Sequence, residues 1–581
     1  MTGTSAVDLP GRPTDQPDTP HGASSETVPP PADPPSVDEQ WSAPRSFVLP
    51  GVWGGLLLAW ASFTPSLLPR GPITQGIIAG ISAAIGYGVG VLVAFIWRGL
   101  VDREARDGGR SLWIVTGLIG SLGTGMALVL GRIWQGRIQE LMGATTADPG
   151  WRVALTLILG IGVFLVLLLA ARSVRWVGRR LASVLSRRLG SRAAVVLAWL
   201  LVALGASLLV SGVLVDGFVG AADRVFSVRD TTTADGVEPT ASTVRSGGPG
   251  SLIEWDSLGR QGRTFVSGGP DLDELASFAF GQVQEPVRVY AGMATASDVE
   301  ERAQRAVDDL ERAGGFDRSR LMVATTTGTG WLDPGTMAAF EYLAEGDSAI
   351  ITMQYSYLPS WLSYLVDQVR ARQAGRELFD AVYERWSALP ADARPELYVF
   401  GESLGSFGAE AAFSGEFDLR NRTSGALFVG PPGFNQLHRE FTQGRDPGSP
   451  QITPVYRNGR TVRFSDGTVD SVATLEAPWE GSRVLYIQHP SDPIVWWDTD
   501  LILRRPDWLA EPRGRDVLDS MRWIPFVTFW QVTGDLPFAV DAPDGHGHRY
   551  NVASVDAWAA LLEPSGWTQE RADRLRRLVA R

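Results

Sequence analysis

Residues 397–412 have the sequence LYVFGESLGSFGAEAA, and this stretch decides the fold of the C-terminal half. Its first residues, Leu397 to Phe400, form an apolar run typical of a buried strand, and the small residues at its end favour a helix. Between them, Gly401-Glu402-Ser403-Leu404-Gly405 matches G-x-S-x-G, in which glycines allow a sharp turn that exposes a serine. The stretch therefore predicts a strand, a tight turn and a helix, with Ser403 as the candidate nucleophile.

An ordinary helix-capping role is the alternative for Ser403. The motif alone is a weak pattern in a chain with 65 glycines. A chance match would seldom have a strand directly before it and a helix directly after it. The surrounding sequence therefore favours the nucleophile.

Short β-branched runs and helical stretches alternate on both sides of Ser403. Strands are predicted over 287–290, 321–326, 349–355, 397–401, 426–430 and 484–488, and helices over 299–313, 334–344, 373–389 and 406–412. This alternation predicts a mostly parallel sheet with helices on both faces in a domain over 286–581. With the nucleophile turn of Ser403, this domain is expected to be an α/β-hydrolase catalytic domain. Residues 221–285 are rich in Gly, Ser and Thr, and we predict a linker that leads into this domain.

The base should be a histidine that follows the nucleophile and the acid along the chain, because a serine hydroxyl needs a proton acceptor. Of five histidines, two lie in Gly545-His546-Gly547-His548 near the C-terminus. His548, at the end of this turn, is the first choice and His546 the alternative. His489 lies at a predicted strand end and is expected to shape the turn that carries the acid.

The acid of such a triad lies in a loop after the nucleophile unit. The predicted strand 484–488 is followed by His489-Pro490-Ser491-Asp492-Pro493, which makes Asp492 the candidate. The alternative is that Asp492 only forms an Asp-Pro turn. Asp498 or Asp535 would then be the acid.

Two backbone N–H groups are needed to stabilise the oxyanion. Leu404, directly after the nucleophile, is expected to supply the first. The second is expected from Thr327 or Gly328, in the glycine-containing loop after the predicted strand 321–326. A phosphate cradle at Gly328-Thr329-Gly330 is the weaker alternative, because the third glycine of a dinucleotide fingerprint is missing.

The N-terminal half contains five uncharged apolar stretches, each near the ~20 residues that cross a bilayer as a helix. They are approximately 47–68, 72–97, 111–131, 153–171 and 193–215. We predict a transmembrane domain of five helices over 46–220, preceded by a disordered tail over 1–45 that is rich in Pro, Ser, Thr and Asp. Glycines in the second and third spans predict that these two helices pack together.

The distribution of arginines between the loops predicts how the spans are oriented in the membrane. Four arginines lie between the second and third spans and seven between the fourth and fifth, against four on the opposite side. The positive-inside bias places the two Arg-rich loops and the N-terminus in the cytoplasm. The expected location is the cytoplasmic membrane, with multiple spans and an extracytoplasmic catalytic domain.

The amino-acid composition excludes several classes of binding partner and cofactor. A net charge of -12 argues against nucleic acid, which requires a basic surface. The absence of cysteine excludes thiol nucleophiles and Cys-based zinc sites. The sequence implies neither a metal nor an organic cofactor. The expected partners are the lipid bilayer and a hydrophobic acyl-ester substrate.

Three motifs together resemble those of a family of bacterial membrane-anchored α/β-hydrolases. They are Phe63-Thr64-Pro65-Ser66-Leu67-Leu68-Pro69-Arg70, Gly401-Glu402-Ser403-Leu404-Gly405-Ser406 and Gly545-His546-Gly547-His548. The resemblance covers nearly the whole chain after the tail and implies a serine hydrolase, without naming a substrate.

The expected function is therefore cleavage of a carboxylic ester or thioester, with a lipid as the substrate class suggested by the membrane anchor. An acyltransferase with the same triad is one alternative. A non-catalytic transport or signalling protein with a ligand-binding hydrolase-like domain is another. The lack of a clear charge inside the predicted spans disfavours transport.

Overall fold

The computed structural model describes residues 47–101, 109–144, 150–208, 215–468, 471, 478–551 and 553–580. The predicted disordered tail over 1–45 lies outside the described residues. The described residues of the N-terminal part form five helices: α1 (Leu49–Ala61), α2 (Pro72–Val101), α3 (Arg110–Leu141), α4 (Trp151–Leu185) and α5 (Ser191–Leu208). Among the described residues, α2 to α5 are the four helices that are long and apolar enough to cross a membrane.

The first of the five predicted spans, over 47–68, is helical only from Leu49 to Ala61 and is shorter than a full span. Helix α1 has 13 residues, about 20 Å at 1.5 Å per residue, whereas the hydrocarbon core is ~30 Å thick. It ends at Ala61 because Pro65 and Pro69 cannot continue a helix, although the apolar composition runs on to Leu68. The hydroxyl of Thr64 donates to the Ala61 carbonyl at 2.7 Å, which satisfies one of the last carbonyls of the helix.

Glycines set the packing of these helices, but with partners other than those expected. A side chain at Gly54 of α1 would overlap the backbone of Gly86 in α2, and one at Gly76 of α2 would meet Thr156 of α4. Helix α3 packs against α1, where Gly123 faces the ring of Trp60. The predicted pairing of the second and third spans is therefore wrong, because small residues mark a close contact without specifying its partner.

Residues 221–285 are part of the C-terminal domain, contrary to the predicted linker. They contain the end of α6 (Val215–Asp230), then α7 (Gly259–Ser267) and α8 (Leu272–Phe278). Apolar side chains of this segment, such as Leu258 and Val266, are fully buried in the core of the domain. Its serines hydrogen-bond to a buried carboxylate, as Ser246 does to Asp309 at 2.6 Å. Polar composition therefore reflects a buried hydrogen-bond network here.

A seven-stranded sheet organises the C-terminal domain, and every strand pair in it is parallel. The strand order is β1-β3-β2-β4-β5-β7-β6. The strands are β1 (Val287–Ala291), β2 (Arg320–Thr325), β3 (Ser348–Met353), β4 (Glu396–Glu402), β5 (Gly425–Val429), β6 (Val462–Ser465) and β7 (Arg483–Ile487). The predicted parallel sheet is confirmed.

Helices separate the strands along the chain. They are α9 (Val299–Arg312), α10 (Pro334–Leu343), α11 (Ser360–Val366), α12 (Gln368–Ala388), α13 (Leu404–Glu410), α14 (Glu416–Arg422) and α15 (Gln436–Gln443). After β7 come α16 (Pro493–Trp496), α17 (Val527–Asp535), α18 (Ala553–Leu562) and α19 (Gln569–Val579). Loops that follow β2, β4, β5 and β7 carry the candidate site residues, because parallel strands end at one edge of the sheet.

The loop between α1 and α2 joins the helices to the C-terminal domain through Asp535. Oδ2 of Asp535 accepts hydrogen bonds from the Ser66 hydroxyl and from the backbone N–H groups of Leu67 at 3.2 Å and Leu68 at 3.3 Å. Nε of Arg70 lies 3.6 Å from Oδ1 of Asp535. Burial raises the pKa of Asp535 to about 6, and Arg70 opposes this shift. Asp535, the alternative acid of the sequence analysis, is therefore part of the contact between the two halves.

Replacing Asp535 by alanine is expected to destabilise this contact by about 3 kcal/mol, because Arg70 and three hydrogen-bond donors would lose a buried acceptor. The thermal midpoint of the full chain in detergent should fall by about 5 °C or more. Asp541→Ala is the matched control, since Asp541 is an exposed carboxylate in the same segment. Equal midpoints for the two variants would contradict a stabilising role of Asp535.

Candidate functional site

Ser403 occupies the turn between β4 and α13 in a strained backbone conformation. Its φ is 54° and its ψ is -129°, a region that residues with a side chain rarely adopt. The N–H of Ser403 donates to the Val429 carbonyl at 2.8 Å, which ties the turn to the end of β5. A Cβ at Gly401 would lie 2.5 Å from the Gly405 carbonyl oxygen. The two glycines of the motif are thus required by close backbone approach.

His548 is held by Asp492 next to this turn. Nδ1 of His548 lies 2.6 Å from Oδ2 of Asp492, and the hydroxyl of Tyr550 donates to the same oxygen at 2.7 Å. A Cβ at Gly430, which follows β5, would lie 2.8 Å from Nδ1 of His548. His548 therefore lies against the end of β5, one residue beyond the Val429 carbonyl that binds Ser403. Nε2 of His548 is buried and has no hydrogen-bond partner among the described residues.

His546 belongs to a second histidine–carboxylate pair. Its Nδ1 lies 3.1 Å from Oδ2 of Asp516, an acid that the sequence analysis did not identify. The hydroxyl of Ser491 donates to the same oxygen at 2.5 Å and accepts the N–H of Gly547 at 2.8 Å. The structure thus brings His548 together with Asp492, and His546 together with Asp516.

The remaining sequence candidates have other contacts. His489 stacks on Tyr550 with ring centroids 4.0 Å apart, and its carbonyl accepts the N–H of Asp492 at 3.1 Å. It therefore shapes the turn that carries Asp492. Asp498 caps a short 3-10 helix by accepting the N–H of Asp500 at 2.8 Å.

The loop after β2 lies against the start of α13. A side chain at Gly405 would overlap the Thr325 carbonyl, so the loop and the Ser403 turn are in close contact. The N–H of Thr327 donates to the Trp331 carbonyl at 3.0 Å. This N–H group is therefore not available to an oxyanion, and the structure does not support Thr327 as the second oxyanion donor. Gly328 and Leu404 remain the candidate donors.

A model described as an alpha/beta-hydrolase family matches residues 287–575, and the model of that family's N-terminus matches residues 63–270. The chain belongs to this alpha/beta-hydrolase family. The N-terminal match covers α2 to α5 and the loop that contacts Asp535, so both halves of the chain are family features. Searches of curated proteins and of solved structures give no match to the chain.

Electrostatics at the site of this α/β-hydrolase favour a charged His548. Burial alone would lower the pKa of His548, but the charge of Asp492 and the hydrogen bond to it outweigh burial and raise the pKa above its ordinary 6.5. Glu402, directly before the nucleophile, is itself buried. Burial raises the pKa of Glu402 to about 8, and the carboxylate of Asp333 acts in the same direction. Glu402 is thus mainly protonated at neutral pH.

The loop between α1 and α2 of the hydrolase also supports the segment that carries His548. Cδ2 of Leu68 would lie 3.4 Å from a Cβ at Gly547. The N–H of His548 donates to the Ala539 carbonyl at 2.8 Å, in the segment that directly follows Asp535. The family's N-terminal half therefore contacts the scaffold of the candidate base.

Sequence reasoning missed Tyr550 and Asp516. Tyr550 lies only two residues after His548, so its place beside the candidate base could have been inferred from its position in the sequence. Asp516 lies in a segment without a motif, so its pairing with His546 depends on the tertiary fold. Among the described residues, no group of three or more His, Cys, Asp or Glu side chains is arranged to hold a metal ion.

Proposed function

We propose that this protein is a membrane-anchored serine hydrolase that cleaves a carboxylic ester or thioester of a hydrophobic acyl substrate. The observation that carries the proposal is the 2.6 Å contact between Nδ1 of His548 and Asp492, with Nε2 left unbonded beside the end of β5. The strained Ser403 turn lies at the same strand end. Membership of an alpha/beta-hydrolase family supports the proposal.

In the proposed mechanism, the hydroxyl oxygen of Ser403 attacks the substrate carbonyl while Nε2 of His548 takes the hydroxyl proton. Asp492 accepts from Nδ1 of His548, which fixes the tautomer and stabilises the imidazolium. The N–H groups of Leu404 and Gly328 stabilise the oxyanion. His548 then protonates the leaving group, and water releases the acyl group from Ser403 by the same steps.

The hydrophobic substrate and the cytoplasmic membrane are inferred from the N-terminal helices. Helices α2, α3 and α4 are each about 45 Å long or longer, and the ends that carry Arg98, Arg110 and Arg172 to Arg180 are opposite the ends next to the C-terminal domain. The positive-inside bias then favours an extracytoplasmic catalytic domain. A tag after the C-terminus that reacts in intact cells is the expected result, and reaction only after lysis would contradict this orientation.

A fluorophosphonate probe tests the hydrolase proposal on the full chain in detergent. The probe phosphonylates an activated serine, and we expect the adduct on the peptide that contains Ser403. An unlabelled protein that remains folded, or an adduct on another serine, would contradict the proposal. Turnover of acyl esters and thioesters of increasing chain length then defines the substrate preference.

The pH dependence of ester hydrolysis is expected to follow the raised pKa of His548. The base must be neutral, so kcat/KM should rise with pH and reach half its maximum above pH 6.5, the ordinary pKa of histidine. Glu402→Gln is the matched variant. Because the pKa of Glu402 is about 8, the variant should resemble the unaltered protein at pH 7 and differ from it only near and above pH 8, where the ionised Glu402 raises the pKa of His548. A half-maximum at or below pH 6.5 would contradict His548 as the base.

A further inference from the structure

One segment of the C-terminal domain, residues 523–540, has an apolar and aromatic surface. Its sequence is WIPFVTFWQVTGDLPFAV, and its one charged side chain, Asp535, is buried against the loop between α1 and α2. Phe538 and Val540 are 40% and 58% exposed. Further large apolar side chains of this aromatic segment are half-buried, namely Trp523, Ile524, Phe526, Phe529 and Trp530. Such a continuous apolar surface indicates contact with an apolar partner.

The aromatic segment lies beside the first turns of α2. A Cβ at Gly534 would lie 2.6 Å from Cδ1 of Ile78 and 3.1 Å from Cγ2 of Thr74. On α2, the neighbouring side chains of Ile73 and Ile77 are exposed. The apolar surface of the aromatic segment therefore continues the exposed apolar surface of α2.

The level of this contact along α2 identifies the partner. Helix α2 is apolar enough to cross a membrane. Its uncharged run from Pro72 to Trp97 is about 39 Å long, whereas the hydrocarbon core is ~30 Å thick. When α2 spans a bilayer, its first two turns, with Thr74 and Ile78, therefore lie where the hydrocarbon meets the lipid headgroups. Tryptophan is enriched at this level of membrane proteins, and apolar side chains of interfacial segments insert there.

We propose that the aromatic segment lies in the headgroup layer of the bilayer, with Trp530, Phe538 and Val540 against lipid. A protein partner at this level would have to displace the lipid that surrounds the exposed isoleucines of α2. Lipid needs no such displacement, and the segment presents no exposed charge to it. The C-terminal domain thus rests on the bilayer through residues of its own.

The aromatic segment also borders the candidate catalytic pair. The carbonyl of Ala539 accepts the N–H of His548 at 2.8 Å. Ala539 belongs to one buried cluster with Ile494, whose N–H donates to Asp492 at 2.8 Å. The side of the site next to the aromatic segment therefore faces the bilayer. On the basis of the proposed hydrolase function, this is the side from which a lipid substrate reaches Ser403.

Fluorescence quenching by lipid tests the contact, because a chain without cysteine accepts a label at one chosen position. Phe538→Cys and Val540→Cys are each labelled with bimane, and the full chain is reconstituted in phosphatidylcholine vesicles that contain a nitroxide-labelled lipid. Phe417→Cys is the matched control, since Phe417 is an exposed residue of α14, which leads into the start of β5 at the sheet edge opposite the site.

We expect the nitroxide lipid to lower the emission of the two labels in the aromatic segment by about twofold or more, because interfacial side chains lie within about 10 Å of the acyl boundary. The emission of the control should stay unchanged. Unquenched labels at both positions would overturn the proposal, because the segment would then face water. Equal quenching of the control would also overturn it, in favour of non-specific adsorption of the domain.

Two substrates test the entry of lipid from this side, namely a long-chain ester in the same vesicles and the water-soluble p-nitrophenyl acetate. Val540→Asp places a charge against the headgroups and should lower the ratio of vesicle-ester to soluble-ester turnover by about tenfold, whereas Phe417→Asp should leave this ratio unchanged. An unchanged ratio for Val540→Asp would overturn the entry side. An unaltered protein that hydrolyses neither ester would contradict the proposed function, and the quenching result would still decide whether the segment contacts lipid.

Discussion

Replacing Ser403 by alanine is expected to lower kcat for ester hydrolysis by about 10⁴-fold or more, because the variant lacks the oxygen that forms the acyl-enzyme. Residual turnover would come from the oxyanion donors and substrate binding alone. The fold should persist, since alanine keeps the Cβ that serine already has at a φ of 54°. Hydrolysis of a p-nitrophenyl ester by the full chain in detergent measures the effect.

The control for this variant is Ser414→Ala, which removes an exposed hydroxyl beyond α13. We expect unchanged turnover for it and equal thermal midpoints for both variants. Retention of turnover within about tenfold by Ser403→Ala would show that the nucleophile is elsewhere or that the reaction needs none, since loss of a triad member costs far more than this.

The Ser403 turn is predictable from the sequence because everything that forms it is local. The apolar strand residues, the glycines and the small helix residues all lie within 397–412. Contacts of the backbone explain the glycines, since a Cβ at Gly401 would lie 2.6 Å from Cα of Ser406. The parallel sheet is predictable for a similar reason, because its long strands are continuous apolar runs. The four-residue strand β6 is not predicted from the sequence, because Arg463 and Ser465 interrupt its apolar run.

The local sequence does not decide whether His546 or His548 is the base. Both lie in one glycine-rich turn, and the order of residues along the chain fits either. The choice depends on which histidine the fold brings to the loop after β7, where Asp492 lies, and which it brings to Asp516. No periodicity or motif around Asp516 marks it as a partner.

The N-terminal half shows where hydropathy counting fails. Residues 47–68 are apolar enough for a span, but the prolines end α1 at Ala61 and the rest of the stretch becomes a contact surface. Leu67 and Leu68 there pack with Trp496 and Ala542 in the C-terminal domain. Burial inside the protein and burial in lipid demand the same residue types, so composition alone cannot separate them.

This contact gives the N-terminal helices a role beyond anchoring. Asp535 binds the loop between α1 and α2, and the segment after Asp535 supplies the Ala539 carbonyl that binds the N–H of His548. Movement of the loop would therefore displace the segment that orients the candidate base. We expect Asp535→Ala to lower kcat as well as stability, whereas a pure anchor would leave the turnover of a water-soluble ester unchanged.

Replacing His548 by asparagine is expected to lower kcat by about 10⁴-fold, and Asp492→Asn by a similar factor, because each change removes the oriented proton acceptor. The second pair supplies matched variants, His546→Asn and Asp516→Asn. These remove the same chemical groups from a pair that Ser491 links to the Asp492 loop. We expect losses below about tenfold for both, because a displaced loop costs less than a lost base.

Turnover of a p-nitrophenyl ester across pH 5 to 9 distinguishes the two pairs. Asp492→Asn should also shift the rising limb of kcat/KM to lower pH, because the charge that raises the pKa of His548 is gone. Asp516→Asn should leave that limb in place. The opposite ranking, with the larger loss and the shifted limb in the His546 and Asp516 variants, would make His546 the base and reassign Asp492 to support of the turn.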